Sequence, residues 1–213
     1  MRRGNLTAAR PAPYGPRMSD PSFRPQGALR VDLGKGELSG GARRVVAMPV
    51  DTLRALARAV EGTSESAVAL YSAGREWGES VASEVADEIA GMTGRAARES
   101  SPAAVLDQLS GRLASLGWGT VALELWGEGL AFVVRNGPGD GASRHLLSGF
   151  FAGFAGGIGG GSFAGAAIGG TTDLRVLVGN PDAIKAARRW DEAGIGMGGI
   201  VDRLRAGEHR RGA

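Results

Sequence analysis

A chain of 213 residues with no cysteine and only two histidines has room for one domain with tails. It cannot build a disulfide, a thiolate metal site or a thiol nucleophile. Its formal charge of +3 conceals an acidic body, −6 over residues 46–202, between basic ends of +6 (1–45) and +3 (203–213). No predicted helix carries a basic face and no aromatic residues interleave with a basic run, so the charge pattern is not that of a nucleic-acid binder.

Residues 1–45 hold Pro11, Pro13, Pro16, Pro21 and Pro25 among Arg, Gly and Ser, with no sustained periodicity. They read as a flexible basic arm, disordered in isolation. Tyr14, Phe23, Leu29, Val31 and Leu33 are its possible anchors on a partner protein or sister subunit. No apolar segment stands behind Arg2 and Arg3, so no secretory leader is expected and the location is expected to be cytoplasmic.

Order is expected from about residue 46. Asp51 is a candidate cap for a helix with Leu53, Leu56, Ala57 and Val60 on one face, ended by Gly62. The longest helical pattern follows, 64–89, with Leu70, Tyr71, Gly74, Trp77, Gly78, Val81, Val85 and Ile89 at helical spacing and acids mainly opposite. Gly74 and Gly78 sit one turn apart on the apolar stripe. Each costs about 1 kcal/mol of helix stability relative to Ala, which points to close approach by another backbone.

Ser101-Pro102 starts a third helix in the favoured way, a hydroxyl cap followed by proline. Leu109, Leu113 and Leu116 face inward, and Gly117 stands just past the end. Thr120–Leu125 and Leu130–Arg135 then read as a hairpin around Trp126-Gly127-Glu128-Gly129. Only an even loop sets Val121, Leu123 and Leu125 opposite Val134, Phe132 and Leu130. The expected loop is therefore either a two-residue turn on Gly127-Glu128 or a four-residue loop closed by Leu125 and Leu130.

From Leu146 to Gly170 no residue is charged, a length that could cross a bilayer. Ten of those 25 residues are glycine and only four are Leu, Ile or Val, so the reading is a buried helix, 145–158, and a flexible loop, 159–170, with no transmembrane segment. Leu146, Leu147, Phe150, Phe151 and Phe154 supply the bulk, and Gly149, Gly153 and Gly157 form a smooth edge. Residues 173–178 are a strand joining the sheet, Asn180-Pro181 restarts a helix carrying Ile184, Ala187 and Trp190 inward, and 194–204 is weakly helical.

Chemistry-bearing motifs are few. Gly159-x-Gly161-x-x-Ala164 matches the dinucleotide fingerprint in letters only, since a helix precedes it where a strand is needed. Asp87-Glu88 and Asp191-Glu192 are sequence neighbours, which do not face each other on a helix. Ser148 and Ser162 have His145 as their only imidazole nearby and no orienting acid. Trp77, Trp118, Trp126 and Trp190 suit core packing or an apolar groove. No catalytic residue, metal site or cofactor is expected.

Five segments in order carry a family resemblance: LYSAGREWGESVASEV (Leu70–Val85), LGWGTVALEL (Leu116–Leu125), the hairpin, LLSGFFAGF (Leu146–Phe154) and RVLVGNPDAI (Arg175–Ile184). Together they resemble the 4-vinyl reductase domain family, whose members are similar in fold to TRAPP vesicle-tethering subunits and are labelled hydrocarbon-binding. The resemblance spans about 47–190. It implies a homodimer with an apolar cavity that binds a ligand or tethers partners rather than an enzyme. Family members often carry cysteines near the closing strand; their absence here argues against metal-assisted chemistry. Leu113–Leu125 with the hairpin is also similar to the oligomeric accessory protein of bacterial cellulose synthase complexes, which implies the alternative of an oligomeric structural accessory subunit in cellulose or exopolysaccharide synthesis and export.

The expectation is therefore an α+β domain at 46–190, between the arm at 1–45 and a glycine-rich weak helix with a basic tail at 191–213. A small antiparallel sheet of hairpin and closing strand is covered by the helices at 64–89, 102–116 and 145–158. Leu70, Trp77, Phe150, Phe151 and Phe154 are expected to line a space for an apolar small molecule.

Overall fold

In the computed structural model, residues 22–25, 28–41, 43–60, 63–138, 141–169 and 173–210 are described. The expected anchor Tyr14 and most of the arm's prolines lie outside them. The elements are β1 (Leu29–Asp32), β2 (Glu37–Gly40), β3 (Arg43–Val45), α1 (Val50–Val60), α2 (Ser64–Thr93), α3 (Pro102–Ser115), β4 (Thr120–Trp126), β5 (Gly129–Arg135), α4 (Gly141–Gly159), β6 (Ala164–Ala167), β7 (Leu174–Gly179), α5 (Pro181–Glu192) and α6 (Met197–Arg205). The class is α+β with two antiparallel sheets, a β1-β2-β3 meander and a larger sheet in the order β4-β5-β7-β6.

Local chemistry explains most boundaries. Thr63 caps α2, its hydroxyl accepting from the Ser66 amide, and Ser101 caps α3 by accepting from Ala104 ahead of Pro102. The Asn180 side chain accepts from the Asp182 amide at the head of α5. The hairpin pairs Val121 with Val134, Leu123 with Phe132 and Leu125 with Leu130, and Trp126 with Gly129 around a two-residue turn. Gly127 opens that turn at φ +63°, the conformation a primed turn needs at its first central position.

The large sheet is buried on both faces. Phe132, Val134, Val176 and Val178 enter a core with Leu147, Phe151 and the inner faces of α2 and α3. Ala131 and Leu177, pointing the opposite way, meet Ile184, Ala187, Ile200 and Leu204 of α5 and α6. Side chains alternate across a strand, so β5 and β7 read as nearly continuous apolar runs.

Three expectations are corrected. The stretch read as a patternless arm contains β1–β3, because four- and three-residue strands are too short to show a period. Residues 164–167, read as loop, form edge strand β6, paired through Ala166 with Leu177; its sequence AGAA has little strand propensity, and tertiary context overrides it. Packing also continues past residue 190: α6 is a full helix that sends Ile200 and Leu204, 0 % and 3 % exposed, into the second core. Its glycines hid the apolar spacing.

The deepest packing is α2 against α4. A β-carbon at Gly74 would overlap the Leu146 carbonyl and one at Gly78 the Phe150 carbonyl. In return, Gly149 abuts the carbonyl of Tyr71 and Gly153 that of Arg75. Four glycines, two per helix, therefore interlock backbone against backbone. The crossing lets Phe150 and Phe151 bury completely, each contributing about 1.5–3 kcal/mol.

Candidate functional site

The interlocked helices bring four of the five expected lining residues together. Trp77 lies 4.4 Å from Phe150 between ring centroids, Phe150 is 5.2 Å from Phe151 and 6.4 Å from Phe154, and Phe151 stacks on Phe132 at 4.5 Å. These tilted, edge-on and offset arrangements are the ones ring quadrupoles favour. The three phenylalanines fill the core. Trp77 is only part-buried, paired with Trp118 at 5.2 Å on one side and reaching a cavity on another. Leu70, two turns earlier on α2, stands apart on the wall of a separate cleft.

The cavity at Trp77 has a volume of about 340 Å³ and lies between α2, α3 and the meander. Trp77 and Val81 form its α2 wall, Leu116 borders it at the end of α3, and Leu29 and Val45 enter from β1 and β3. Gly40, between those two strands, has no side chain to block the space; Leu29 and Val45 are the atoms a methyl there would touch.

Two attachments hold the meander over the cavity. Phe23 packs on Gly111 of α3, so closely that a β-carbon there would overlap its ring. The Phe23 amide also donates to Asp107 at 2.6 Å. At the other end, Arg43 of β3 meets Glu84 of α2 at 2.7 Å. Glu84 is shared with Arg112 of α3, whose second terminal nitrogen donates to Glu88 at 2.6 Å. Two guanidinium groups and two carboxylates thus form a neutral chain along one wall. The Nε of Arg112 is buried with no hydrogen-bond partner.

Sequence reading missed Phe23's docking site and the Arg112 cluster. The signal available was Glu84 and Glu88, like charges one turn apart, which repel unless a cation stands between them. Nothing local identifies Arg112, 24 residues further on, as that cation.

Of the other singled-out residues, Ser148 donates within its own helix to the Arg144 carbonyl at 2.6 Å, and His145 is exposed. Trp126 and Trp190 belong to the second core, apart from the Trp77–Trp118 pair. Among the described residues no group of three His, Asp or Glu could hold a metal, and no helix is long and apolar enough to cross a membrane.

No family model and no curated protein matches the sequence. Among solved structures, the phenol-responsive sensory domain of the transcription activator PoxR, determined with phenol, matches 72% of this chain and 85% of its own at a TM-score of 0.57. The two chains share a fold. Their sequence identity is 15%, so the likeness is one of architecture.

Proposed function

We propose that this chain is a non-catalytic, homodimeric binding module of the 4-vinyl reductase type, whose ligand is a small aromatic or otherwise apolar molecule held beneath the meander. The observation that carries this reading is the cavity at Trp77: an indole on one wall, aliphatic side chains on three elements, and charge from Arg24 and the Arg43–Glu84–Arg112–Glu88 chain at its edges. A volume near 340 Å³ is at the small end of ligand sites and suits one ring with one polar substituent. Arg24, Arg43 and Arg112 line those edges and supply guanidinium donors for the substituent. The shared fold with a sensory domain solved with phenol supports the same reading.

The test is titration of the purified chain with phenol, longer alkylphenols and isoprenoid lipids, followed by melting temperature and tryptophan emission. Saturable stabilisation by at least one of them, lost in Trp77→Ala, is the expected result. No stabilisation by any would overturn ligand binding at this cavity. A solution mass of two chains is expected; an octamer or larger ring would replace the dimer with a structural assembly.

A further inference from the structure

Toward the N-terminal end of α2, away from Trp77, two adjoining depressions of about 380 and 700 Å³ share Ala67, Tyr71, His145, Gly165, Arg188 and Glu192, and so form one cleft. Its floor is nearly bare of side chains. Gly165 of β6 lies so close to the Ser148 carbonyl that no β-carbon fits, and the small residues Ala164, Ala166 and Ala167 of the same edge strand border the cleft, with the Ala166 methyl turned into the second core.

The rim is cationic and comes from two facing helices. Arg144 of α4 is braced by a hydrogen bond from its guanidinium to the Gly169 carbonyl at 3.3 Å. Lys185, Arg188 and Arg189 project from α5. Two acids stand against these four cations. Asp191 is engaged by the Gly169 amide at 3.4 Å. Glu192 is 3.8 Å from Arg188, with the two side chains 69% and 63% exposed, a pairing worth little in water. Lys185 and Arg189 meet no acid among the described residues.

Tyr71 adds an oriented donor: its hydroxyl accepts from the Gly165 amide at 3.1 Å, which leaves its own proton directed elsewhere. Gly141 and Ala142, the first residues of α4, also line the cleft, and that turn carries no acid.

We infer that this cleft binds a small organic anion, with its carboxylate or phosphate held by Arg144 and Arg188 and its apolar body lying on the alanine-glycine floor beside Tyr71. Guanidinium groups suit both head groups because they donate in parallel pairs. The concave rim, with four cations against two acids, carries a net positive charge that concentrates anions before contact. This site is separate from the cavity at Trp77 and takes ligands of opposite character.

Calorimetric titration of the whole chain with benzoate, phenyl phosphate and inorganic phosphate, at low and high salt, tests it. One-to-one binding of benzoate or phenyl phosphate is expected, and which of the two binds identifies the head group. Affinity should fall about tenfold or more in Arg188→Glu, which loses a charge-assisted contact, and by a smaller, salt-dependent factor in Lys185→Glu, which only weakens the positive field of the rim. Both side chains are exposed, so melting temperature should hold. Trp77→Ala should bind the anions unchanged, which separates this result from failure of the phenol titration. Absence of saturable binding to all three anions, affinity unmoved by both charge reversals, or inorganic phosphate binding as tightly as phenyl phosphate would each overturn the proposal.

Discussion

Gly78 of α2 faces the carbonyl of Phe150 on α4 with no space for even a methyl group between them. The relation is reciprocated two turns earlier along α2, where Gly149 of α4 faces the Tyr71 carbonyl. Each helix is notched where the other's backbone passes. The aromatic core, and the position of Trp77 at the cavity, depend on that interlock.

Gly78→Ala and Gly149→Ala should each lower stability by about 3 kcal/mol or more, because backbone cannot retreat as a flexible side chain does. Gly91 lies on the same α2 helix in open space. Gly91→Ala should instead raise stability by up to about 1 kcal/mol through helix propensity. Urea melts of the three variants check the contrast; equal effects at positions 78 and 91 would show that the helices do not cross there.

Arg112 neutralises Glu84 and Glu88, which are 20% and 35% exposed. Replacing it with Met leaves two carboxylates one turn apart without their shared cation. We expect a loss of about 1–3 kcal/mol, less than for a fully buried pair because solvent screens part of it. In a double-mutant cycle, adding Glu84→Gln to Arg112→Met should cost less than the two single changes summed. Strict additivity would mean that the ion pair carries no coupling.

Phe23 is the peg that fastens the meander to α3. Phe23→Ala should increase hydrogen exchange throughout β1–β3 and shift Trp77 emission to the red as its cavity opens to water, while exchange in the large sheet stays unchanged. Leu33, 88% exposed in the β1–β2 turn, supplies the control, and Leu33→Ala should alter neither signal. An unchanged exchange pattern in Phe23→Ala would show that the meander is held without the peg.

Gly127 turns the hairpin at φ +63°, and a β-carbon there would come within 3.0 Å of the Arg205 amide nitrogen. Gly127→Ala therefore meets both backbone strain and crowding against the end of α6. We expect a loss of about 1–2 kcal/mol or more, measured by denaturant unfolding.

Much of this fold was legible in the residues themselves. The hairpin register followed from pairing Val121 with Val134 and Leu123 with Phe132, because a one-residue slip would have moved every apolar side chain to the wrong face. The starts of α3 and α5 followed from Ser101-Pro102 and Asn180-Pro181. Gly74 and Gly78 announced a close crossing through their cost to an isolated helix. The candidate site was less legible: Trp77 was singled out, whereas Phe23, Leu29, Val45 and Arg112 were not read as its walls, since each belongs to a segment whose own pattern says nothing about α2.

What the sequence determined by itself was local: periodicities, caps, the turn and the presence of two glycine-notched helices, each set by neighbours within a few residues. The tertiary structure alone decided that α4 is the helix that fits α2, that AGAA becomes a strand, that α6 closes the second face of the sheet, and that Arg112 stands between Glu84 and Glu88. Those outcomes depend on shape and charge matching between segments tens of residues apart, and no single stretch of chain encodes both halves of such a match.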